Sequence, residues 1–292
     1  MHSEKLVELV TINLERRKIK YQLFISFVLI FIYIHPTYSN ENGKILAYAA
    51  GCYECHTTNP DKPFSGGYKI KTKYGIFISP NITKDKNYGI GKWSKKEFIN
   101  AIKHGISPNS RPYYPVFPYN WYSIMNDNDI LDIFEYLNSI PASNNINPSH
   151  TLKFPYNMRE IMWVWRLINK TISKNNTITN RGEYLVKSVG HCSACHSPRI
   201  WLSIIKDYSN LKGRPESLKL LNDGAPNISI DKINGIGKWT ESDIVFFLQT
   251  GIKPNGDFAG KLMSKIIENG TTYLVEEDLH KIAQYLLSSN NK

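Results

Sequence analysis

The pentapeptide GIGKW occurs twice, at 89–93 and 235–239, and its 146-residue offset holds without a gap from Asn81/Asn227 to Phe117/Met263. Thirteen of these 37 paired positions are identical, among them Asp85/Asp231, Gly105/Gly251, Pro108/Pro254 and Asn109/Asn255. Internal similarity at a fixed offset means that one folding unit is present twice. Any architecture assigned to the first copy must therefore also suit the second.

Both copies read as helical. After the shared tryptophan, SKKEFINAIKHG and TESDIVFFLQTG open on a hydroxyl side chain followed three residues later by an acid, Ser94/Glu97 and Thr240/Asp243. This is the capping-box spacing, in which the two side chains satisfy free N–H groups at a helix start. Gly105 and Gly251 stand where a left-handed residue ends a helix. Further on, Ile130, Ile133, Phe134 and Leu137 fall at i, i+3, i+4 and i+7, as do Leu279, Ile282, Ala283 and Leu286. Such stripes bury one helix face. Between these helices the chain is rich in Gly, Pro and Asn, with no convincing alternating strand, so the expected class is all-α.

The expected organisation is a leader over 1–39, a first domain over 40–145, a linker over 146–178 and a second domain over 179–292. Polar stretches at 141–149 and 173–180 flank FPYNMREIMWVWRLI (154–168), which is apolar on most of its faces. That segment reads as a connecting helix buried between the domains; the alternative is a docking surface for a subunit or membrane, because so much aromatic area must be covered.

Every cysteine in the chain belongs to one of two motifs, CYECH (52–56) and CSACH (192–196), and each motif heads one copy. A redox dithiol needs no adjacent histidine and usually accompanies a βαβ pattern, absent here. A structural zinc ion needs four ligands, so each motif would have to recruit another from elsewhere. A disulfide within one C-x-x-C closes a loop too short to constrain the unfolded chain much. Covalent haem attachment uses all three residues: Cys52 and Cys55, or Cys192 and Cys195, form thioethers, and His56 or His196 supplies the proximal iron ligand. The reading is two covalently attached haem c groups per chain.

An electron-transfer haem also needs a distal ligand, and methionine is the usual soft choice. Met263 follows a Gly-rich loop and is the only methionine after the second motif. It is the expected sixth ligand of the second haem. The matching position of the first copy is Phe117, which cannot bind iron. Met125 and His104 are the nearest candidates there, although core packing and a helix C-terminus respectively also account for them. The sixth ligand of the first haem stays open, with water, another side chain or a vacant position as alternatives.

Haem attachment of this kind fits an exported chain, and the N-terminus agrees. Arg16, Arg17, Lys18 and Lys20 precede an uncharged run at 21–34, followed by Thr37-Tyr38-Ser39. This pattern reads as a secretory signal cleaved after Ser39. The 14-residue run falls short of the roughly 20 residues of a spanning helix, so a retained anchor is the secondary reading. The chain carries a net charge of +11, and removal of the leader takes away five basic and three acidic residues and leaves +9. The basic residues form no stripe, so nucleic acid is not the expected partner. They read as solvated surface with a bias toward acidic partners or anionic lipid.

Taken together, SPNITKDKNYGIGKWSKKEFINAIKHG, YYPVFPYNWYSIM, FPYNMREIMWVW, NRGEYLVKSVGHCSACHSPR and GAPNISIDKINGIGKW resemble the cytochrome c subunits of membrane-associated bacterial alcohol, gluconate and sorbitol dehydrogenases. The likeness extends over essentially the whole chain after the leader. It implies a periplasmic protein, in some cases held at the outer face of the inner membrane. Such a protein would accept electrons from a dehydrogenase subunit and pass them toward quinone or another acceptor. The same resemblance carries Cys52, Cys55, His56, Cys192, Cys195, His196 and Met263 over as haem-binding residues. Two features depart from the family: it commonly has three haem motifs, and it has a methionine where Phe117 stands here. His191, beside the second motif, is not a family ligand and reads as packing or a hydrogen bond near the haem edge. With no substrate-oxidising site and no flavin or nicotinamide motif, the chain reads as a relay. A haem enzyme of peroxidase type, working at an open first haem, is the alternative.

Overall fold

The computed structural model describes residues 20–22, 40–172, 178–200, 204–214 and 224–288. The expected leader and cleavage site thus lie almost wholly outside the described residues. Helix outweighs strand, 43% to 8%, so the chain is mostly helical.

The first part of the chain comprises a helix α1 at 40–49, α2 (Cys52–His56), a hairpin of β1 (Lys69–Thr72) and β2 (Gly75–Ile78), α3 (Lys95–His104), α4 (Tyr119–Tyr122) and α5 (Asp127–Ser139). β3 (Thr151–Leu152) and α6 (Ile161–Ile172) follow. The second part has α7 (Arg181–Tyr184) running into a π-helical turn at Leu185–Val189, then α8 (Ser193–His196), α9 (Glu241–Thr250), α10 (Lys261–Glu268) and α11 (Glu276–Leu286).

The local signals of the repeat are realised in both copies. Ser94 accepts from the Glu97 amide while the Glu97 side chain accepts from Ser94 N–H, and Thr240 and Asp243 do the same. Gly105 (φ 59°) and Gly251 (φ 74°) are left-handed, a conformation that costs glycine nothing because it has no Cβ. Beyond each glycine an antiparallel bridge forms at matching positions, Ile106 with Pro112 and Ile252 with Phe258. The stripes on α5 and α11 are buried as their spacing requires.

Each stripe helix crosses the helix that precedes a C-x-x-C-H motif, and glycine makes the crossing close. A Cβ on Gly43 would stand 2.0 Å from Asp132 O, and one on Gly182 would stand 2.0 Å from Lys281 O. Across the second crossing Arg181 forms a two-point ion pair with Asp278, at 2.9 and 2.7 Å.

Two expectations need correction. The class is not purely α: β1, β2 and β3 form a small antiparallel sheet, with Lys69 opposite Ile78 and Gly75 opposite Leu152. Its strands are only two to four residues long. That is too short for alternation to stand out from a Gly-rich loop. Nor is α6 buried all round. Met162 and Trp165 pack with Phe77, Tyr114, Tyr119 and Ile204 in a satellite core, while Trp163, Val164 and Leu167 face outward, Leu167 at 68% exposure. The hairpin and α4 cover one side of α6 only. Among the described residues no helix is long and apolar enough to cross a membrane.

The main core is a single cluster drawn from both copies. It contains Leu46, Phe98, Ile130 and Leu137 from the first, with Leu185, Ile244, Leu279 and Ala283 from the second. Tyr273 stacks on Tyr48 across this junction with ring centroids 3.9 Å apart. The Tyr184 hydroxyl donates to Asp129 at 2.5 Å and accepts from the Asn126 amide at 3.2 Å.

Candidate functional site

The first motif forms α2 itself, so Cys52 and Cys55 stand one turn apart with His56 directly after. In the second, Cys192 caps α8, and the amides of Cys195 and His196 both donate to its carbonyl at 3.1 and 2.9 Å. Helical i, i+3 spacing sets each thiol pair on one side of the turn.

Each histidine ring is oriented by a backbone carbonyl. His56 Nδ1 lies 2.7 Å from Pro80 O, and His196 Nδ1 lies 2.8 Å from Pro226 O. A carbonyl can only accept, so Nδ1 carries the proton and Nε2 keeps its lone pair for a metal. Burial lowers the pKa of both rings, against the opposing effect of these hydrogen bonds. Both therefore favour the neutral form that can bind iron. The turn after each proline is built alike: Asn81 Oδ1 accepts from the Thr83 amide, and Asn227 Oδ1 accepts from the Ser229 amide. Pro80 and Pro226 were not singled out from the sequence, although a proline precedes the shared Asn in both copies.

Burial pushes the Cys52 and Cys192 thiols up to about 12, with the neighbouring cysteine of each pair adding to the rise. Such thiols are protonated at neutral pH and poorly suited to redox exchange as free groups. Among the described residues no group of three or more His, Cys, Asp or Glu could hold a metal ion. Paired thiols with an adjacent imidazole free at Nε2 fit covalently attached haem at both motifs.

The structure brings the two motifs together. Cys55 reaches solvent, while the chain packed on its inner side, then Glu54, then Cys195 of the other motif push its thiol up to about 11. His191 (φ 37°) places Nδ1 3.0 Å from Val189 O and meets the Tyr122 ring edge-on at 5.5 Å. Its Cε1 lies 3.7 Å from where a Cβ on Gly51 would stand. His191 thus packs against the start of the first motif, near its own. The neighbouring α4 is tied to both: Tyr122 OH donates to Ala50 O at 2.5 Å, and Trp121 Nε1 donates to Ser193 Oγ, inside the second motif, at 2.7 Å.

Met263 is half-buried on α10 beside the main core. Phe117, its counterpart, is flanked edge-on by Tyr113 and at a tilt by Tyr122, at 5.7 and 5.8 Å. Met125 lies in the core at 2% exposure, and His104 ends α3 on the surface. A cavity of about 370 Å³ lies against α10, with Gly251, Phe258, Ser264 and Ile267 in its lining, and none of the six motif residues reaches it.

Comparison with known proteins gives the family. Residues 40–141 match the cytochrome c family. A dihaem c-type cytochrome of Cereibacter sphaeroides is 34% identical over 84% of this chain and 84% of its own length. The chain is a member of the c-type cytochrome family. It is also 33% identical to the fructose dehydrogenase cytochrome subunit of Gluconobacter japonicus and 32% identical to the gluconate 2-dehydrogenase cytochrome c subunit of Pantoea cypripedii, each over 86% of this chain. The cytochrome spans only 52% and 60% of those two relatives. Covalently bound haem and electron transfer are the properties this membership supports.

Proposed function

We propose that this cytochrome is a periplasmic dihaem electron relay, carrying single electrons from a dehydrogenase subunit toward the respiratory chain. It would consist of two tandem cytochrome c domains, 40–145 and 179–292, joined by 146–178. The observation that carries the reading is the matched orientation of His56 and His196 by the carbonyls of Pro80 and Pro226, 146 residues apart.

In this reading Cys52 and Cys55 hold the first haem and Cys192 and Cys195 the second, with His56 and His196 as proximal ligands and Met263 as the distal ligand of the second. Each haem iron supplies a reversible one-electron change when bound. The chain holds each imidazole in one tautomer and keeps α2 and α8 adjacent. Trp121 and His191 pack where the two motifs meet, which favours direct passage between them. The leader-like N-terminus and the thioether chemistry support export, and the names of the relatives support a dehydrogenase partner.

Pyridine haemochrome analysis of the purified holoprotein should give two c-type haems per chain. Loss of either motif by Cys→Ala substitution should reduce that number to one. A single haem in the native protein would overturn the dihaem assignment.

Phe117, standing where the second copy has Met263, motivates one further reading, a peroxidase-type reaction at a first haem lacking a strong sixth ligand. A high-spin ferric signal from one haem together with rapid peroxide turnover would establish it. Two low-spin haems inert to added ligands would exclude it.

A further inference from the structure

Each haem motif is bonded through one of its intervening residues to a helix of the other copy, and the helices correspond. Ser193, between Cys192 and Cys195, accepts from Trp121 on α4, four residues beyond Phe117. Glu54, between Cys52 and Cys55, is bonded to the α10 end that lies beyond Met263. Its Oε2 accepts from Asn269 Nδ2 at 2.8 Å, and its Oε1 faces Lys265 Nζ at 3.6 Å. The Glu54 side chain is 14% exposed, whereas Lys265 is 47% exposed, so the carboxylate is shielded and the ammonium is half in solvent.

The geometry of α10 separates two faces. At about 100° per residue, Ile267 stands within about 40° of Met263, whereas Lys265 lies about 160° from it, on the opposite side. Ile267 is buried and Met263 packs against the main core, so this face turns inward. Lys265 instead meets Glu54 and lies over the Tyr68 ring at 5.9 Å. The carboxylate of the first motif therefore grips the outer side and C-terminal cap of the helix whose inner side bears Met263.

We infer that Glu54 is a positioning residue for the second haem: its clasp on Asn269 and Lys265 sets where α10 presents Met263. The distal ligation of one haem thereby depends on a residue within the attachment motif of the other. This inference rests on the assignment of Met263 as the sixth ligand of the second haem.

The test uses the dihaem holoprotein and two readouts, the far-red methionine-to-iron charge-transfer band of the oxidised protein and the midpoint potential of each haem by spectroelectrochemical titration. Asn269→Ala, which keeps every charge, should weaken the band and lower the midpoint of the second haem alone, because methionine ligation raises the potential. Glu54→Ala should weaken the band and lower the second midpoint to a greater extent, while loss of its carboxylate beside the first motif raises the midpoint of the first haem. Glu54→Gln retains an acceptor for Asn269 and should keep the band. Haem content per chain, unchanged in each variant, separates repositioning from failure to fold.

A band that persists at native strength in both alanine variants would overturn the clasp. So would Glu54→Gln behaving like Glu54→Ala, which would reduce Glu54 to a local charge, or both midpoints falling together in Asn269→Ala. Met263→Leu distinguishes the underlying assignment: if that variant keeps the native band, the ligand assignment has failed and the clasp with it. If it abolishes the band while Asn269→Ala and Glu54→Ala do not alter it, only the clasp has failed.

Discussion

His56 and His196 show how a short motif depends on a distant backbone atom. The adjacent cysteines place each imidazole, but the tautomer is set by carbonyls 24 and 30 residues further on. Met263→Leu should turn the proposed second haem from low-spin to high-spin by electron paramagnetic resonance, with haem content unchanged, since thioether attachment does not use Met263. A second residue-scale prediction concerns Glu183, buried beside Lys187 at 2.7 Å and accepting from the Thr179 amide and hydroxyl. Burial alone would raise its pKa, but Lys187 and Thr179 overcome that and hold it below the ordinary 4.5. A depressed folded pKa stabilises the protein fully above the unfolded value, and the contribution is lost as pH falls through the folded one. Acid titration followed by circular dichroism should therefore show a transition in the native protein that is blunted in Glu183→Gln. At neutral pH Glu183→Ala leaves Lys187 buried and unpaired and should cost about 3 kcal/mol in denaturant unfolding.

At the scale of elements, the helices bounded by capping boxes and glycines were legible because the interactions that start and stop them are local. Thr240→Ala removes the acceptor for the Asp243 amide. It should cost about 1 kcal/mol by denaturant titration, with Thr240→Ser close to native. The helix crossings were not legible, since nothing in Gly43 or Gly182 announces which carbonyl will lie against it. Gly182→Ala would press a methyl group into Lys281 O and force the α7–α11 crossing apart. A loss of about 1–3 kcal/mol is expected, measured by the same titration. The sheet escaped notice because its strands are shorter than any useful period. Burial of α6 was overstated because its composition reports hydrophobicity on several faces but not how many neighbours arrive to cover them.

Across the whole molecule, the repeated sequence suggests two independent units, yet the main core draws side chains from both copies. The Tyr48–Tyr273 stack and the Tyr184–Asp129 hydrogen bond reinforce the same junction. Two halves sharing one core should unfold together. Heating the holoprotein should give one cooperative transition, with far-ultraviolet circular dichroism and the haem absorption bands changing at the same temperature. Two resolved transitions would mean that the junction contributes little.

The sequence by itself determined the chemistry and the local scaffold: which cysteines and histidines form the motifs, where the helices are capped, and that one unit occurs twice. The motifs and caps depend on residues within a few positions of one another and the repeat on a constant offset along the chain, so spacing alone reveals them. Tertiary structure decided that the two motifs meet, that Trp121 bonds to the second and that Asn269 bonds to the first. Such contacts join positions 72 and 215 residues apart. Their partners are selected by how the helices pack, and no spacing within either copy encodes that choice.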